Sequence, residues 1–205
     1  MKPVKVQFLF DFGSLNAYFA HRVIPAIEQR TGATFEYVPI LLGGVFKLTN
    51  NRSPLEAFGH VENKWRFMQL EIERFIKRHD IKGYHFNPNF PVNTLQLMRA
   101  AIAARSENML APYVEAAFHF MWEDPKKMDD IEVARAAIAS AGIDADRLFA
   151  RAQDADIKAE LMRETQAAVD RGTFGSPTFF VGDEMFFGKD QLRDVEEAIV
   201  AAQKA

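Results

Sequence analysis

Hydrophobic and polar positions alternate along Val4-Lys5-Val6-Gln7-Phe8-Leu9-Phe10, and the run stops at Asp11. Alternation in a stretch rich in Val and Phe predicts a strand with at least one buried face. Past Gly13-Ser14 the period lengthens. Leu15, Tyr18, Phe19, Val23, Ile24 and Ile27 recur at the spacing of one helical face. Gly32 marks a turn into a second strand, Thr34–Leu41. A β-α-β unit of this kind has a right-handed crossover. Leu42-Gly43-Gly44-Val45 and the polar stretch Thr49-Asn50-Asn51-Arg52-Ser53-Pro54 read as a loop.

From about His60 to Arg171 the pattern is helical. Trp65, Met68, Ile72, Phe75 and Ile76 form one amphipathic stripe. Leu95, Leu97, Met98, Ala101 and Ile102 form a second, entered just after Pro91 with Asn93 as the expected cap. Tyr113, Ala117, Phe120 and Met121 belong to a third, broken at Asp124-Pro125. Three more helices are expected over Asp130–Ala141, Asp144–Gln153 and Asp156–Arg171. Met and aromatic stripes at this spacing mark core packing, not a cofactor box.

Strand signals then return. Thr178–Val181 and Glu184–Phe187 flank Gly182-Asp183, a tight hairpin turn, and Asp190 is the expected cap of a final helix through Leu192, Val195, Ile199 and Val200. Neither end piece can bury a sheet alone. Joined, they complete an α/β fold, a thioredoxin-like four-stranded mixed sheet interrupted by a large helical insertion. The expected division is residues 1–45 and 172–205 for the sheet domain and 46–171 for the insertion.

Composition narrows the chemistry. The chain has 205 residues, is 48% hydrophobic and carries a net charge of −3, with no basic run. It can bury a substantial core, and nucleic acid or an anionic membrane is not an expected partner. No stretch has the length and apolarity of a membrane span, and the N-terminal apolar run is a core strand, not a signal peptide. The expectation is a cytoplasmic protein. Its five histidines are scattered without ligand spacing, so no metal site is expected. There is no cysteine, which removes disulfides, thiolate ligands and a cysteine nucleophile together.

Ser14 is the first candidate for chemistry. A strand–turn–helix junction aims unpaired N–H groups and a partial positive charge at the turn, where an anion such as a thiolate can be held. Alone, Ser14 reads first as a helix cap. The second candidate is Gly175-Ser176-Pro177-Thr178, because a proline entering a strand sits where its missing N–H costs no ladder bond.

Taken in order, four segments resemble the 2-hydroxychromene-2-carboxylate isomerase and kappa-class glutathione transferase family, within the DsbA-like branch of thioredoxin folds. They are Phe10-Asp11-Phe12-Gly13-Ser14, Leu41-Leu42-Gly43-Gly44-Val45-Phe46-Lys47, Phe174-Gly175-Ser176-Pro177-Thr178, and Gly182–Asp190. The resemblance covers essentially the whole chain. It implies that Ser14 stands where relatives have a redox cysteine, and donates to the sulfur of bound glutathione. It also implies a cis Ser176–Pro177 bond whose backbone pairs with the cysteinyl amide of glutathione. Asn51 or its neighbour Asn50, Lys64, Lys189 and Asp190 complete the implied cofactor-binding set, with Lys64 toward a glutathione carboxylate and Asp190 toward the γ-glutamyl ammonium. Read without the resemblance, Lys64 is a solvated helix position and Asp190 a cap.

Two positions depart from the family pattern: Ser14-Leu15-Asn16 replaces Ser-Pro, and Lys189-Asp190 replaces the Ser-Asp of kappa transferases. These favour the isomerase side. The implied reaction is cis–trans isomerisation of an unsaturated aromatic oxo-acid during aromatic-ring breakdown, by thiolate addition to a conjugated carbon followed by elimination. Phe12, Phe46, Trp65 and Phe67 are the candidate lining of the acceptor pocket. The alternatives are a glutathione transferase acting on electrophiles and a non-catalytic thioredoxin-fold binding protein. Relatives imply a homodimer.

Overall fold

The computed structural model describes residues 3–204. Strand β1 (Lys5–Phe10) runs parallel to β2 (Thr34–Pro39) and antiparallel to β3 (Thr178–Val181), and β4 (Glu184–Phe187) closes the order β2-β1-β3-β4. Between β1 and β2 runs α1 (Leu15–Thr31). The long connection from β2 to β3 carries α2 (Leu42–Thr49), α3 (Pro54–Phe58), α4 (Glu62–His79), α5 (Leu95–Ser106), α6 (Leu110–Trp122), α7 (Ile131–Ser140), α8 (Ala145–Arg151) and α9 (Ala155–Asp170). A 3-10 turn, Lys189–Gln191, leads into α10 (Leu192–Lys204). This is the α/β class expected from the sequence, a mixed four-stranded sheet with helices filling its longest connection.

The alternation in β1 places Val6, Phe8 and Phe10 in full burial, while Lys5 is exposed. The Phe8 ring stacks on Phe179 of β3 at 5.3 Å and meets Tyr37 of β2 edge-on at 4.9 Å. These aromatic pairs fix the register from one strand to the next. Gly32 ends α1 in the left-handed region (φ 70°), the conformation that glycine adopts without a Cβ penalty.

Three local expectations need correction. Leu42–Val45 is helical, not loop. Its start is fixed by the Leu42 N–H donating to the Asp11 carboxylate at 2.8 Å. Gly44 also permits a close approach to α9, since a Cβ there would lie 3.2 Å from the Thr165 methyl. Tertiary contacts outweigh the poor helix propensity of two glycines. Asp190 does not cap the last helix. It lies inside the 3-10 turn and accepts from the Lys189 ammonium at 2.6 Å. Thr94, and not Asn93, is the N-cap of α5; Asn93, one residue earlier, accepts from the Leu95 N–H at 3.0 Å.

The core is continuous between sheet and helices. Phe12, beyond β1, packs against Phe118 and Tyr113 of α6 at 5.0 and 5.8 Å, and the Trp122 indole donates to the Phe12 carbonyl at 2.9 Å. The expected boundary between residues 45 and 46 falls inside α2.

A polar seam joins α1 to α6. The Glu115 carboxylate accepts from His21 Nε2 at 2.9 Å and from Arg22 at 2.7 Å, while His21 Nδ1 lies 2.8 Å from the Tyr37 hydroxyl. These partners, His21 first, pull the Glu115 carboxyl from an ordinary 4.5 down to about 2. A depressed carboxyl stabilises the fold above its unfolded value and loses that contribution as pH falls through the folded one. We therefore expect the melting temperatures of wild type and Glu115→Gln to differ at pH 6 and to converge between pH 4.5 and 2. Glu115 is half exposed, so solvent screening keeps the difference small.

Candidate functional site

The turn after β1 is built around a buried carboxylate. Asp11, fully buried, accepts from the Gly13 N–H and the Thr94 hydroxyl through Oδ1, and from the Leu42 N–H through Oδ2, each at 2.8 Å. Burial pushes its carboxyl above the usual range, and these donors pull partly back. One side chain thus ties the α1 turn to the starts of α2 and α5. Nothing in the local pattern assigned Asp11 this role. The signal available was a lone acid closing an apolar strand.

Asp11 also anchors Ser14, whose N–H donates to the Asp11 carbonyl at 3.0 Å. Ser14 caps α1 with extended backbone (φ −90°, ψ 107°), and its Oγ accepts from the Ala17 N–H at 3.2 Å. The same hydroxyl donates to the carbonyl of Ser176 at 2.8 Å, so residues 162 apart in sequence meet. The first N–H groups of α1 have no partner inside the helix and face this junction.

The Ser176–Pro177 bond is cis, as expected, and Phe90–Pro91 is a second cis bond that was not anticipated. The Pro177 carbonyl accepts from the Gly188 N–H at 2.9 Å, which brings the start of the 3-10 turn alongside. Ser176 is 8% exposed, and its Oγ is buried with no hydrogen-bond partner among the described residues. A buried hydroxyl without a protein partner is a donor that a water or a ligand can satisfy.

Asn51 reaches the same loop, its Nδ2 donating to the Phe174 carbonyl at 2.9 Å. Asn50 ends α2 in the left-handed region (φ 53°) and is exposed. The Phe174 ring lies 4.4 Å from that of Phe187, tilted at 44°. A Cβ on Gly175 would lie 2.7 Å from the Phe187 ring. Gly175→Ala must therefore displace that ring, which is 41% exposed and can turn outward, and we expect a loss of at most about 1 kcal/mol in urea unfolding.

Lys189 is 4% exposed, with its ammonium 4.8 Å from the Phe75 ring centroid and paired to the exposed Asp190 carboxylate. Any influence of Lys189 on a ligand therefore runs through Asp190. Lys64 is not drawn into the junction. Its ammonium sits over the Phe58 ring, 3.1 Å from the centroid. The structure thus links Ser14, Asn51, Ser176, Pro177, Lys189 and Asp190 through direct contacts or chain neighbours, while the side-chain contact of Lys64 is with Phe58.

Of the aromatic residues expected to line an acceptor pocket, Phe12 is excluded by full burial. Phe46 and Trp65 are half-buried, and Phe67 is 57% exposed on α4. Two surface depressions of about 320 and 390 Å³ flank α7 and share no residue with the Ser14 junction. The lining chemistry, not cavity size, identifies the candidate site. Among the described residues no group of metal-ligating side chains assembles.

Known proteins agree with this architecture. The 2-hydroxychromene-2-carboxylate isomerase of Sphingobium xenophagum is 28% identical over 198 residues, spanning 95% of this chain and 97% of that protein. A solved structure of a 2-hydroxychromene-2-carboxylate isomerase superposes with a TM-score of 0.83 at 26% identity, covering 98% of this chain and 96% of that one. Glutathione S-transferase kappa 1 of Caenorhabditis elegans is 20% identical over 215 residues, spanning 98% of this chain and 93% of that protein. The family resemblance read from the four segments is thereby borne out. A family model described as a DSBA-like thioredoxin domain matches residues 5–200, and the chain belongs to that family.

Proposed function

We propose that this protein is a glutathione-dependent isomerase of the 2-hydroxychromene-2-carboxylate isomerase type, acting on an unsaturated aromatic oxo-acid in the breakdown of aromatic compounds. The observation that carries the reading is Ser14 at the N-terminus of α1, 2.8 Å from the carbonyl of Ser176, in a chain without cysteine. Ordinary disulfide exchange needs a protein thiolate, which this chain cannot supply. Relatives named as isomerases along its full length support the same reading.

The residues present fit glutathione in their donor set. Ser176 offers backbone groups and an unpartnered hydroxyl, Ser14 a second hydroxyl at a helix N-terminus, and Asp190 an exposed carboxylate suited to an ammonium. When bound, glutathione supplies the thiolate nucleophile that the protein lacks. Ser14 then has one task, donation to the sulfur, which it takes up by turning its O–H away from the Ser176 carbonyl. The hydroxyl and the α1 dipole both favour the ionised thiol over the neutral one. The Ser14 hydroxyl has no base beside it, its partners being the Ala17 N–H and the Ser176 carbonyl, so it acts as a donor and not as a nucleophile. Asn51 holds Phe174, and with it the loop that presents Ser176.

Calorimetry tests the binding step. Wild type is expected to bind reduced glutathione saturably, and Asp190→Ala to bind it three- to thirtyfold more weakly, the loss of one charge-assisted contact at an exposed position. No heat and no thermal shift at millimolar glutathione would overturn the reading. A second reading, a glutathione transferase acting on electrophiles, uses the same Ser14 and is favoured by the likeness to the kappa transferase. A panel of electrophiles beside the chromene carboxylate separates the two. The protein is proposed to work in the cytoplasm; among the described residues no helix is long and apolar enough to cross a membrane.

A further inference from the structure

Three helix starts converge on the buried carboxylate of Asp11. Its Oδ1 accepts from the Gly13 N–H, just before the α1 cap, and from the hydroxyl of Thr94, the α5 cap. Its Oδ2 accepts from the N–H of Leu42, the first residue of α2. The positive end of each helix dipole lies at its start, so all three favour an anion here. Asp11 accepts in every one of these contacts, and a protonated acid would bury an O–H without an acceptor. Asp11 is therefore ionised. A Cβ on Gly13 would lie 3.2 Å from the Thr94 methyl and 3.3 Å from Asp11 Oδ1, which leaves that side no room for water. Among the described residues no cation pairs with the carboxylate. The first ionisable side chains along α1, α2 and α5 are Tyr18, Lys47 and Arg99, and Lys5 lies at the far end of β1. Tyr18 donates to Glu123, Lys47 is exposed, and Arg99 lies more than a turn past Thr94. Helix α9 meets the start of α2 through the uncharged Thr165.

In the proposed reaction the start of α1 serves a second anion, the thiolate that receives the Ser14 hydrogen bond. Ser14 follows Asp11 within the same turn, and its N–H donates to the Asp11 carbonyl at 3.0 Å. Like charges held this close disfavour each other's ionised form. The carboxylate also takes up part of the dipole field that would otherwise act on the thiolate. Both effects oppose the Ser14 hydroxyl. A thiol attacks best when its pKa lies near the ambient pH, since its nucleophilicity falls as it becomes more acidic. We propose that Asp11 is a positioning residue that restrains the acidity of a thiol held at Ser14, and so keeps the thiolate nucleophilic. Its part in turnover rests on the glutathione reading, but its effect on a thiol at this place does not.

A thiol built into the chain tests it. In Ser14→Cys, the rate of alkylation by iodoacetamide followed against pH gives the pKa of that thiol. Adding Asp11→Asn should lower this pKa by about one unit, a roughly tenfold rise in thiolate at pH values below it. Thr94→Ala in the same background breaks the same junction but keeps the charge, and should leave the pKa unchanged or raise it. A pKa that stays or rises on Asp11→Asn overturns the proposal. So does an equal fall with Thr94→Ala, which would assign the effect to a loosened turn. If Asp11→Asn does not fold, carbon-13 shifts of the Asp11 carboxyl in the wild-type protein decide. An ionised group at pH 7 is expected, and a protonated one overturns the proposal. Reduced glutathione separates the two readings, because thiolate absorbance of the bound cofactor should shift to lower pH by a similar amount in Asp11→Asn. A thiol at position 14 that responds while glutathione fails to bind contradicts the glutathione reading and leaves this inference standing.

Discussion

Asp11→Ala should lower stability by about 3–5 kcal/mol, a loss as large as that of a buried aromatic side chain. The substitution leaves the Gly13 N–H, the Leu42 N–H and the Thr94 hydroxyl without their acceptor in a buried site. A buried donor stripped of its partner costs about 1–3 kcal/mol. Three such losses would sum higher, but removing the carboxylate also removes its own burial cost, the effect that pushes its carboxyl upward. Asp11→Asn should fall between alanine and wild type, since its amide oxygen serves one side of the site while its NH₂ faces a donor on the other. For a chain of this length each kcal/mol moves the melting temperature by roughly 2–4 °C. Asp11→Ala should therefore melt roughly 10 °C lower. A shift of one or two degrees would mean that Asp11 does not organise the junction.

Asp11 also shows where sequence reasoning stops. The four strands were legible because alternation in Val4–Phe10 and the Gly182-Asp183 turn are local patterns, and the structure places strands there. The long helices were legible from the same kind of signal. What was not legible depends on distant partners. Gly43 and Gly44 argue for a loop, and only the Asp11 carboxylate and the close approach to α9 make the segment helical. Asp190 looks like a cap until the burial of Lys189 against Phe75 gives its carboxylate another partner. Lys64 sits at a plausible position along the chain, yet its ammonium lies over Phe58, and no spacing rule reveals that. For the candidate site, local pattern found Ser14 as a helix start. Its meeting with Ser176 across 162 residues was foreseeable only through the family resemblance.

Ser14→Ala should cost activity far more than stability. The fold loses a helix cap worth typically ~1 kcal/mol, together with the bond to the Ser176 carbonyl. On the proposed mechanism bound glutathione would lose a charge-assisted hydrogen bond of about 1.5–3 kcal/mol, which would raise its thiol pKa by roughly one to two units. Turnover at neutral pH should then fall about ten- to a hundredfold and recover in part as the pH rises. Thiolate absorbance of bound glutathione, followed against pH, should move upward in step. Ser14→Cys is the informative control, because it adds a protein thiol able to form a mixed disulfide with glutathione. Full activity and an unchanged thiol titration in Ser14→Ala would reduce Ser14 to a helix cap.

The most direct test of the account is the conversion of 2-hydroxychromene-2-carboxylate by the wild-type protein, followed spectroscopically with and without reduced glutathione. The account predicts isomerisation that saturates with glutathione and is absent when glutathione is removed. It also predicts that S-methylglutathione, which keeps the peptide and blocks the sulfur, will not substitute. Isomerisation at an equal rate without glutathione, or with the S-methyl analogue, would contradict it, as would no isomerisation when glutathione is bound.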